Sequence, residues 1–346
     1  LMYSEILFEL YRSLKMIRAL LLVHLILVSV LISSQQSSNT FGVLNFNNSA
    51  RSTALGGYAV AVKDGDASTA IQLPSNIESA NCGQLVLNYV NYFSDTDYGS
   101  INYTFNSKKI GLLSASLIYC NYGTFNYSDP SGFFNGNKFS VNDLLAQIGH
   151  SKKLTEKLNI GINLKFLASF YEQYSSFAIG SDVGLTYFNK ESEFGSAILC
   201  QNIGRSIKDY HLSNLKENLP FNIQLSLNKK LTHAPLRFHF IYHDLQKFKI
   251  SSNNPLSSTR NVITQFSYDF FNHIILANEF LFSDNFHVRL GYGFQNRRDL
   301  QPASRPGTTG LSWGVGFKVK SLKINYSNSK YHFAGTANNI SVIKKL

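Results

Sequence analysis

From about residue 84 onward, apolar and polar side chains alternate along the chain with a period of two. In Leu158-Asn159-Ile160-Gly161-Ile162-Asn163-Leu164-Lys165-Phe166, the side chains of Leu158, Ile160, Ile162, Leu164, Phe166 and Ala168 share one face. Asn159, Gly161, Asn163, Lys165 and Ser169 share the other. Successive side chains of a strand point to opposite faces, so each such segment has one apolar wall and one polar wall. The pattern returns in Phe221/Ile223/Leu225/Leu227 against Asn222/Gln224/Ser226/Asn228, in Phe286 to Gln295 and in Leu311 to Lys318. Arg289, His287 and Lys165 fall mid-strand on the polar wall. A dry sandwich core does not tolerate cations there, whereas the water-containing lumen of a transmembrane barrel does.

The alternation predicts strands over 84–93, 97–106, 110–122, 140–150, 158–170, 176–188, 195–203, 219–230, 235–244, 273–283, 286–296, 310–319, 321–329 and 336–345. These make about fourteen strands, an even number as single-chain bacterial outer-membrane barrels have. Residues 261–269 also alternate, but a strand there would make the count odd, so parity leaves them in a loop. The long connections, 123–139, 204–218, 246–272 and 297–309, then fall at one end of the barrel and only short turns at the other. The expected fold is an all-β transmembrane antiparallel barrel of 84–346, with residues 35–83 as a compact plug-like segment folding into or under it. Gly56-Gly57 and the alternation of Ala59/Ala61 with Val60/Val62 favour such a compact segment over a flexible tail. Residues 1–34 read as leader and signal peptide: Lys15 and Arg18 precede an apolar run, Ala19 to Ile32, that is too short to span a bilayer, and Met16 is the expected start.

Composition narrows the classes without changing this picture. The 346 residues include 27 Phe and 19 Tyr, and only 15% are charged. Intrinsic disorder requires the opposite balance. A mean hydropathy of −0.08 excludes a bundle of apolar membrane helices. Three cysteines, Cys82, Cys120 and Cys200, form no disulfide framework. The net charge is +11. For an exported chain this points away from nucleic acid and toward lipopolysaccharide phosphates or an acidic partner, with Lys108/Lys109, Lys152/Lys153 and Lys229/Lys230 at the turns and Lys247/Lys249, Arg297/Arg298 and Arg305 in the loops.

The search for chemistry is negative. Ser-x-x-Lys occurs as Ser213/Lys216, Ser226/Lys229 and Ser327/Lys330, and Ser283-Asp284-Asn285 spells a second penicillin-recognition element. The serine–lysine pair of such enzymes lies on a helical turn, whereas Ser226 and Lys229 point to opposite faces of a strand. His239 and His243 share a lumen-facing parity but stand ~13 Å apart along an extended strand, too far for one metal. Gly291 and Gly293 read as packing relief on the lumen side. No catalytic residue, cofactor or metal site is expected.

The run Ser49-Ala50-Arg51-Ser52-Thr53-Ala54-Leu55-Gly56-Gly57, with Asp64-Gly65-Asp66 and Pro74, resembles the N-terminal block of the PorV/PorQ family of Bacteroidetes outer-membrane proteins. This family belongs to the type IX secretion system and is distantly similar to FadL-type barrels. Asn88-Tyr89-Val90-Asn91-Tyr92, His287 to Tyr292 and Ser312 to Lys320 resemble its PorQ branch. The resemblance implies a non-enzymatic component of the cell-surface attachment complex. Such a protein would hold a PorZ-like surface protein beside PorU- and PorV-like members, with Ala50, Arg51, Gly56, Gly57, Asp64, Asp66 and Pro74 in structural roles. Phe125, Tyr127, Phe133 and Phe134 in one long loop, and Phe266 and Phe270 in another, are the candidate partner-binding residues. The alternative is a FadL-like transporter of hydrophobic small molecules, marked by a continuous apolar pocket inside the lumen.

Overall fold

The computed structural model describes residues 41–47, 49–92, 95–128, 131–210, 218–250, 261–300, 307–332 and 335–346. The leader and signal reading, Arg305 and the Ser213/Lys216 pair lie outside the described residues. Fourteen antiparallel strands close into one barrel in sequence order, with β1 hydrogen-bonded to β14. They are β1 (Gln84–Asn91), β2 (Asp97–Ser107), β3 (Gly111–Ser128), β4 (Phe134–Lys153), β5 (Leu158–Tyr171), β6 (Tyr174–Asn189) and β7 (Phe194–Lys208), followed by β8 (Asn222–Lys230), β9 (Leu236–Tyr242), β10 (Ile274–Ser283), β11 (Phe286–Gly293), β12 (Leu311–Val319), β13 (Leu322–His332) and β14 (Gly335–Lys345). Every expected strand is present. Among the described residues three α-helices accompany them: α1 (Ala50–Ala54), α2 (Val262–Asn272) and α3 (Phe294–Asp299).

The two walls are disposed as the alternation requires. Along β5, Asn159, Gly161, Asn163 and Lys165 are buried inside, while Ile160, Ile162, Leu164 and Phe166 stand exposed outside. Leu117, Tyr119, Ile148, Ile198, Phe238, Leu276 and Trp313 continue the exposed apolar exterior around the barrel. A closed sheet has no free edge and all its backbone bonds lie between strands, so this exterior is the face that meets lipid. Among the described residues no helix is long and apolar enough to cross a membrane.

Three expectations change. Residues 123–139 are not a long loop: β3 and β4 stay paired as far as Ser128 and Phe134, forming a ribbon beyond the point where β2 ends against Asn121. Phe125 and Tyr127 are therefore strand residues, Phe134 begins β4, and Phe133 lies in the connection. Residues 261–269, kept out of the strand count by parity, are mostly helical. Apolar positions 263, 266 and 270 are spaced by three and four, which fits a period of 3.6 and not one of two, and the helix carries Phe266 and Phe270. Finally, β11 stops at Gly293 and turns into α3 instead of running to 296.

Residues 41–83 pack inside the barrel. Ser49 caps α1 by accepting the Ser52 N–H at 3.1 Å, and the helix ends where Gly56 and Gly57 take φ of 96° and 92°. The Gly57 N–H closes back on the Ser52 carbonyl at 2.7 Å, a left-handed C-terminal closure that glycine adopts without strain. The next stretch is extended. Ala59 and Ala61 pack with Leu73, Ala197 and Leu199, whereas Val60 and Val62 pack with Leu55, Ile241, Ile275 and Ala277. Its backbone is held by the barrel wall, Gln224 donating to the Ala59 carbonyl at 3.0 Å and Ser226 Oγ accepting the Ala61 N–H at 3.2 Å. Pro74 opens a 3-10 turn, Pro74–Asn76, its ring preset for the first helical position.

This packing is possible because the facing wall lacks side chains. A Cβ on Gly161 would sit 2.3 Å from the Pro74 carbonyl carbon, and one on Gly291 would sit 2.7 Å from the Ala54 carbonyl oxygen. Gly291 is thus the lumen-side relief expected of it. Gly161→Val should displace the Pro74–Asn76 turn, with protease protection of 70–80 lost while the heat-resistant gel mobility of the folded barrel is kept. Unchanged protection would show that the turn is not held against β5.

Candidate functional site

Register assembles the first of two lumen sites. Glu279 of β10 lies directly across from Arg237 of β9 on one side and Arg289 of β11 on the other. The row alternates in sign, the favourable order for directly opposed residues. All three side chains are buried on the polar wall. Arg51 descends onto this row from α1. Its Nε and Nη2 donate to Glu279 Oε1 and Oε2 at 2.9 and 3.0 Å. Its Nη1 and Nη2 donate to Asp64 Oδ1 and Oδ2 at 2.9 and 2.7 Å, and Nη1 also reaches Asp66 Oδ2 at 3.0 Å. A guanidinium has five N–H donors, and all five are used in two forked pairs plus one single bond.

The acidic partners are placed by local structure. Gly65 takes a φ of 71°, so the chain turns between Asp64 and Asp66 and both carboxylates converge on one guanidinium. Asp66 uses its other oxygen to cap the following turn, accepting from Ser68 N and Oγ at 3.0 and 2.7 Å. Glu279 also accepts from Arg237 Nη1 at 2.8 Å and from Arg289 Nε at 2.8 Å, with His239 Nε2 at 3.4 Å. Arg237 bridges back to Asp64 Oδ2 at 3.0 Å. Three arginines face three carboxylates, so the cluster is neutral with His239 uncharged. Burial raises the pKa of the Asp64 carboxyl, but the Arg51 guanidinium beside it more than reverses this and holds it well below the usual carboxylate range.

The second site is apolar. Ser100, Ile118, Leu145, Leu167 and Ala178 are successive cross-strand partners from β2 to β6. Ile118, Leu145, Leu167 and Ala178 are buried on the lumen side and share one cluster with Phe41, Val43, Ile71, Tyr98 and Leu219. The polar-lumen expectation is corrected here: the wall over β9–β11 carries a charged row, and that over β3–β6 carries an apolar row. Period-two parity sorts residues between faces but does not require every inward residue to be polar. The turn Gly42–Asn45 is pinned beside this row by Asp143, which accepts the Val43 N–H at 3.2 Å and the Tyr122 hydroxyl at 2.7 Å. Ser169 donates to its other oxygen. A neighbouring cavity of about 30 Å³, lined by Phe46, Val90, Tyr92 and Tyr98, has room for water but not for a ligand of ordinary size, which needs roughly 300 Å³ or more.

Each motif residue expected to be structural has its place. Ala50 donates its N–H to Ser341 Oγ at 2.8 Å, Arg51, Asp64 and Asp66 form the ion cluster, and Gly56, Gly57 and Pro74 shape the turns. Phe133 and Phe134, at 75% and 73% exposure, stand at the ribbon tip with Phe125 and Tyr127 behind them, away from α2 with its Phe266 and Phe270. Ser283-Asp284-Asn285 is a hairpin turn, Ser283 Oγ accepting the N–H groups of Asn285 and Phe286. Ser226 is engaged by Ala61, and Lys229 donates to the Ser192 carbonyl, so the pair makes no nucleophile. Histidines 239 and 243 part company, the first on Glu279 and the second on Asp244 at 2.8 Å. Glu279 and Arg237 were not singled out from the sequence. The available signal was an acidic residue on the inward parity of an otherwise apolar strand, Ala277-Asn278-Glu279-Phe280.

The fold and exterior define an outer-membrane β-barrel with an internally packed N-terminal segment. No family model matches the chain, and no curated protein matches it. Among solved structures the chain is similar to the toluene transporter TodX of Pseudomonas putida, at TM-score 0.51 and 13% identity, covering 86% of this chain and 97% of that one. It is similar to the toluene transporter TbuX of Ralstonia pickettii at 0.50 and 11%, covering 89% and 100%. The monoaromatic hydrocarbon channel CymD aligns at 0.53 and 11%, covering 87% and 98%. At such identities the likeness is one of fold.

Removing one partner of a buried, hydrogen-bonded ion cluster costs about 3–5 kcal/mol, because the remaining charges stay buried without compensation. Glu279→Ala should therefore release α1 and expose residues 50–66 to protease, with Arg51→Lys intermediate because the fork is lost. Equal protection in all three proteins would refute the anchoring role. The pH response has a defined sign. A carboxyl held low in the folded state contributes stability that is complete above its unfolded value of about 3.9 and disappears as pH falls through the folded value. Hydrogen exchange at 50–66 should stay slow at neutral and mildly acidic pH and quicken only in strong acid. Quickening near pH 6 would contradict this.

Proposed function

We propose that the barrel conducts small hydrophobic molecules across the outer membrane, with the N-terminal segment as its gate. The carrying observation is the apolar row Ile118–Leu145–Leu167–Ala178 in the lumen, filled by Phe41, Val43 and Ile71 of the chain itself. A hydrophobic solute gains about 25 cal/mol for each Å² of apolar surface it buries, and this row offers that surface once Phe41 and Val43 withdraw. The toluene transporters and the monoaromatic hydrocarbon channel that share the fold support the same class of cargo. FadL-like transport is accordingly preferred over surface attachment.

In proteoliposomes, labelled toluene should equilibrate faster with the barrel than without it. Phe41→Ala with Val43→Ala should raise that rate, and Leu167→Asp should lower it. A rate equal to that of empty liposomes, unaffected by either change, would sink the proposal.

The finer reading, a PorQ-like component of the type IX attachment complex holding a PorZ-like protein, keeps one supporting observation. The β3–β4 ribbon carries Phe133 and Phe134 exposed at its tip. Under that reading Phe133→Ala with Phe134→Ala should release a surface protein into the medium without changing toluene flux. Undiminished surface retention would dismiss it.

A further inference from the structure

Helix α2 is amphipathic in the wrong sense for a water-covered loop. Ile263, Phe266 and Phe270 recur at helical spacing and are exposed, Ile263 at 81% and Phe266 at 58%. The opposite face is polar and turned toward the protein. Asp269 and Asn272 are buried there, Gln265 donating to Asp269 at 2.9 Å and Arg298 of α3 donating to Asn272 Oδ1 at 2.8 Å. Apolar outward and polar inward is the arrangement of the barrel strands, and it is stable only where the surroundings are apolar.

The apolar face also runs unbroken into the lipid-facing wall. Tyr242 on the exterior of β9 meets the Phe270 ring at 5.6 Å between centroids, Phe270 meets Phe271 at 5.9 Å, Phe271 meets Phe294 at 5.5 Å, and Phe294 meets Tyr292 on the exterior of β11 at 4.9 Å. Tyr242 and Tyr292 alternate with the buried lumen residues of their strands, which places both on the outer surface. Aromatic rings at the end of a barrel wall occupy the membrane interface. Lys247 and Lys249, exposed in the same connection, suit the headgroup phosphates bordering such a position.

We propose that α2 is an interfacial membrane helix, lying across the outer end of β9–β11 with Ile263, Phe266 and Phe270 among lipid acyl chains. The occupant of this face is the bilayer, not a protein partner. The helix widens the hydrophobic belt on one side of the barrel and fixes the height and tilt of that side in the membrane. The assignment rests on the barrel's exterior and does not depend on what passes through the lumen.

The test uses the full barrel in liposomes. The chain has a single tryptophan, Trp313, on the exterior wall. In a Trp313→Phe background, Phe266→Trp and, separately, Ile263→Trp each place one reporter on the helix. Thr155→Trp in a short turn serves as the water-facing reference, and Trp313 in the unaltered chain as the lipid-facing one. Heat-modifiable gel mobility confirms folding of each variant. Both helix reporters should emit toward the blue like Trp313, lose most of their intensity to phospholipids nitroxide-labelled near the top of the acyl chain, and resist aqueous iodide. Emission and iodide quenching like those of Thr155→Trp would overturn the proposal, because the face would then be in water. Protection from both quenchers would equally overturn it, because protein would then cover the face.

Discussion

The position of the N-terminal segment depends on one carboxylate. Glu279 is fully buried in the barrel wall, where an isolated anion would be costly by many kcal/mol. Its two wall partners, Arg237 and Arg289, cannot settle the account alone, because two guanidiniums around one carboxylate leave a net buried positive charge. Arg51 with Asp64 and Asp66 brings one cation and two anions, so the seven-residue group, His239 included, closes at neutrality only when the segment is inside. The barrel wall and the segment are therefore each electrostatically incomplete without the other. A buried ion cluster contributes little net stability compared with an apolar replacement, but it specifies one docked arrangement, since any other leaves charge unmatched.

The glycines act by the complementary route. Electrostatics selects the place, and the missing side chains at Gly161 and Gly291 let backbone lie against backbone at that place. The two devices sit on different strands and hold different parts of the segment: the Pro74–Asn76 turn over β5 and β6, and α1 over β11 to β14. A change at one leaves the other in place. Partial undocking is thus available to the molecule without loss of the whole segment.

Much of this was legible in the sequence because lipid outside and water inside impose a period of two on every strand. All fourteen strands follow from it, and parity correctly removes 261–269 from the count. The failures have common physical causes. The β3–β4 ribbon was missed because Thr124 to Ser128 extends past the end of β2, where both faces are exposed and the alternation fades. Glu279 and Arg237 were missed because one strand's sequence carries its own face but not its register: nothing local states that residue 279 stands opposite 237 and 289. The apolar row across β3–β6 was missed for the same reason, each of Ile118, Leu145, Leu167 and Ala178 looking like an isolated lapse in its own strand. Arg51, Asp64, Asp66 and the glycine pair were marked in the sequence only by a resemblance; that the turn at Gly65 brings both acids to one guanidinium is visible only in the fold.

The two lumen surfaces differ in how they resist motion. On the β8–β11 side the segment is held by short, directional, charge-assisted bonds that weaken steeply when partners separate, and water entering among them must replace several at once. On the β3–β6 side it is held by dispersion and by burial of Phe41, Val43 and Ile71, which another apolar molecule can replace contact for contact. Asp143 is the exception, fixing the Val43 N–H, yet its Tyr122 and Ser169 donors remain when that one bond is lost. Exchange with a hydrophobic solute, as the proposed function requires, would therefore displace the Gly42–Asn45 turn while α1 stays anchored through Arg51. Under the proposed transport function, a passage opened in this way would run along the apolar row and leave the bonds of Arg51 to Glu279, Asp64 and Asp66 in place.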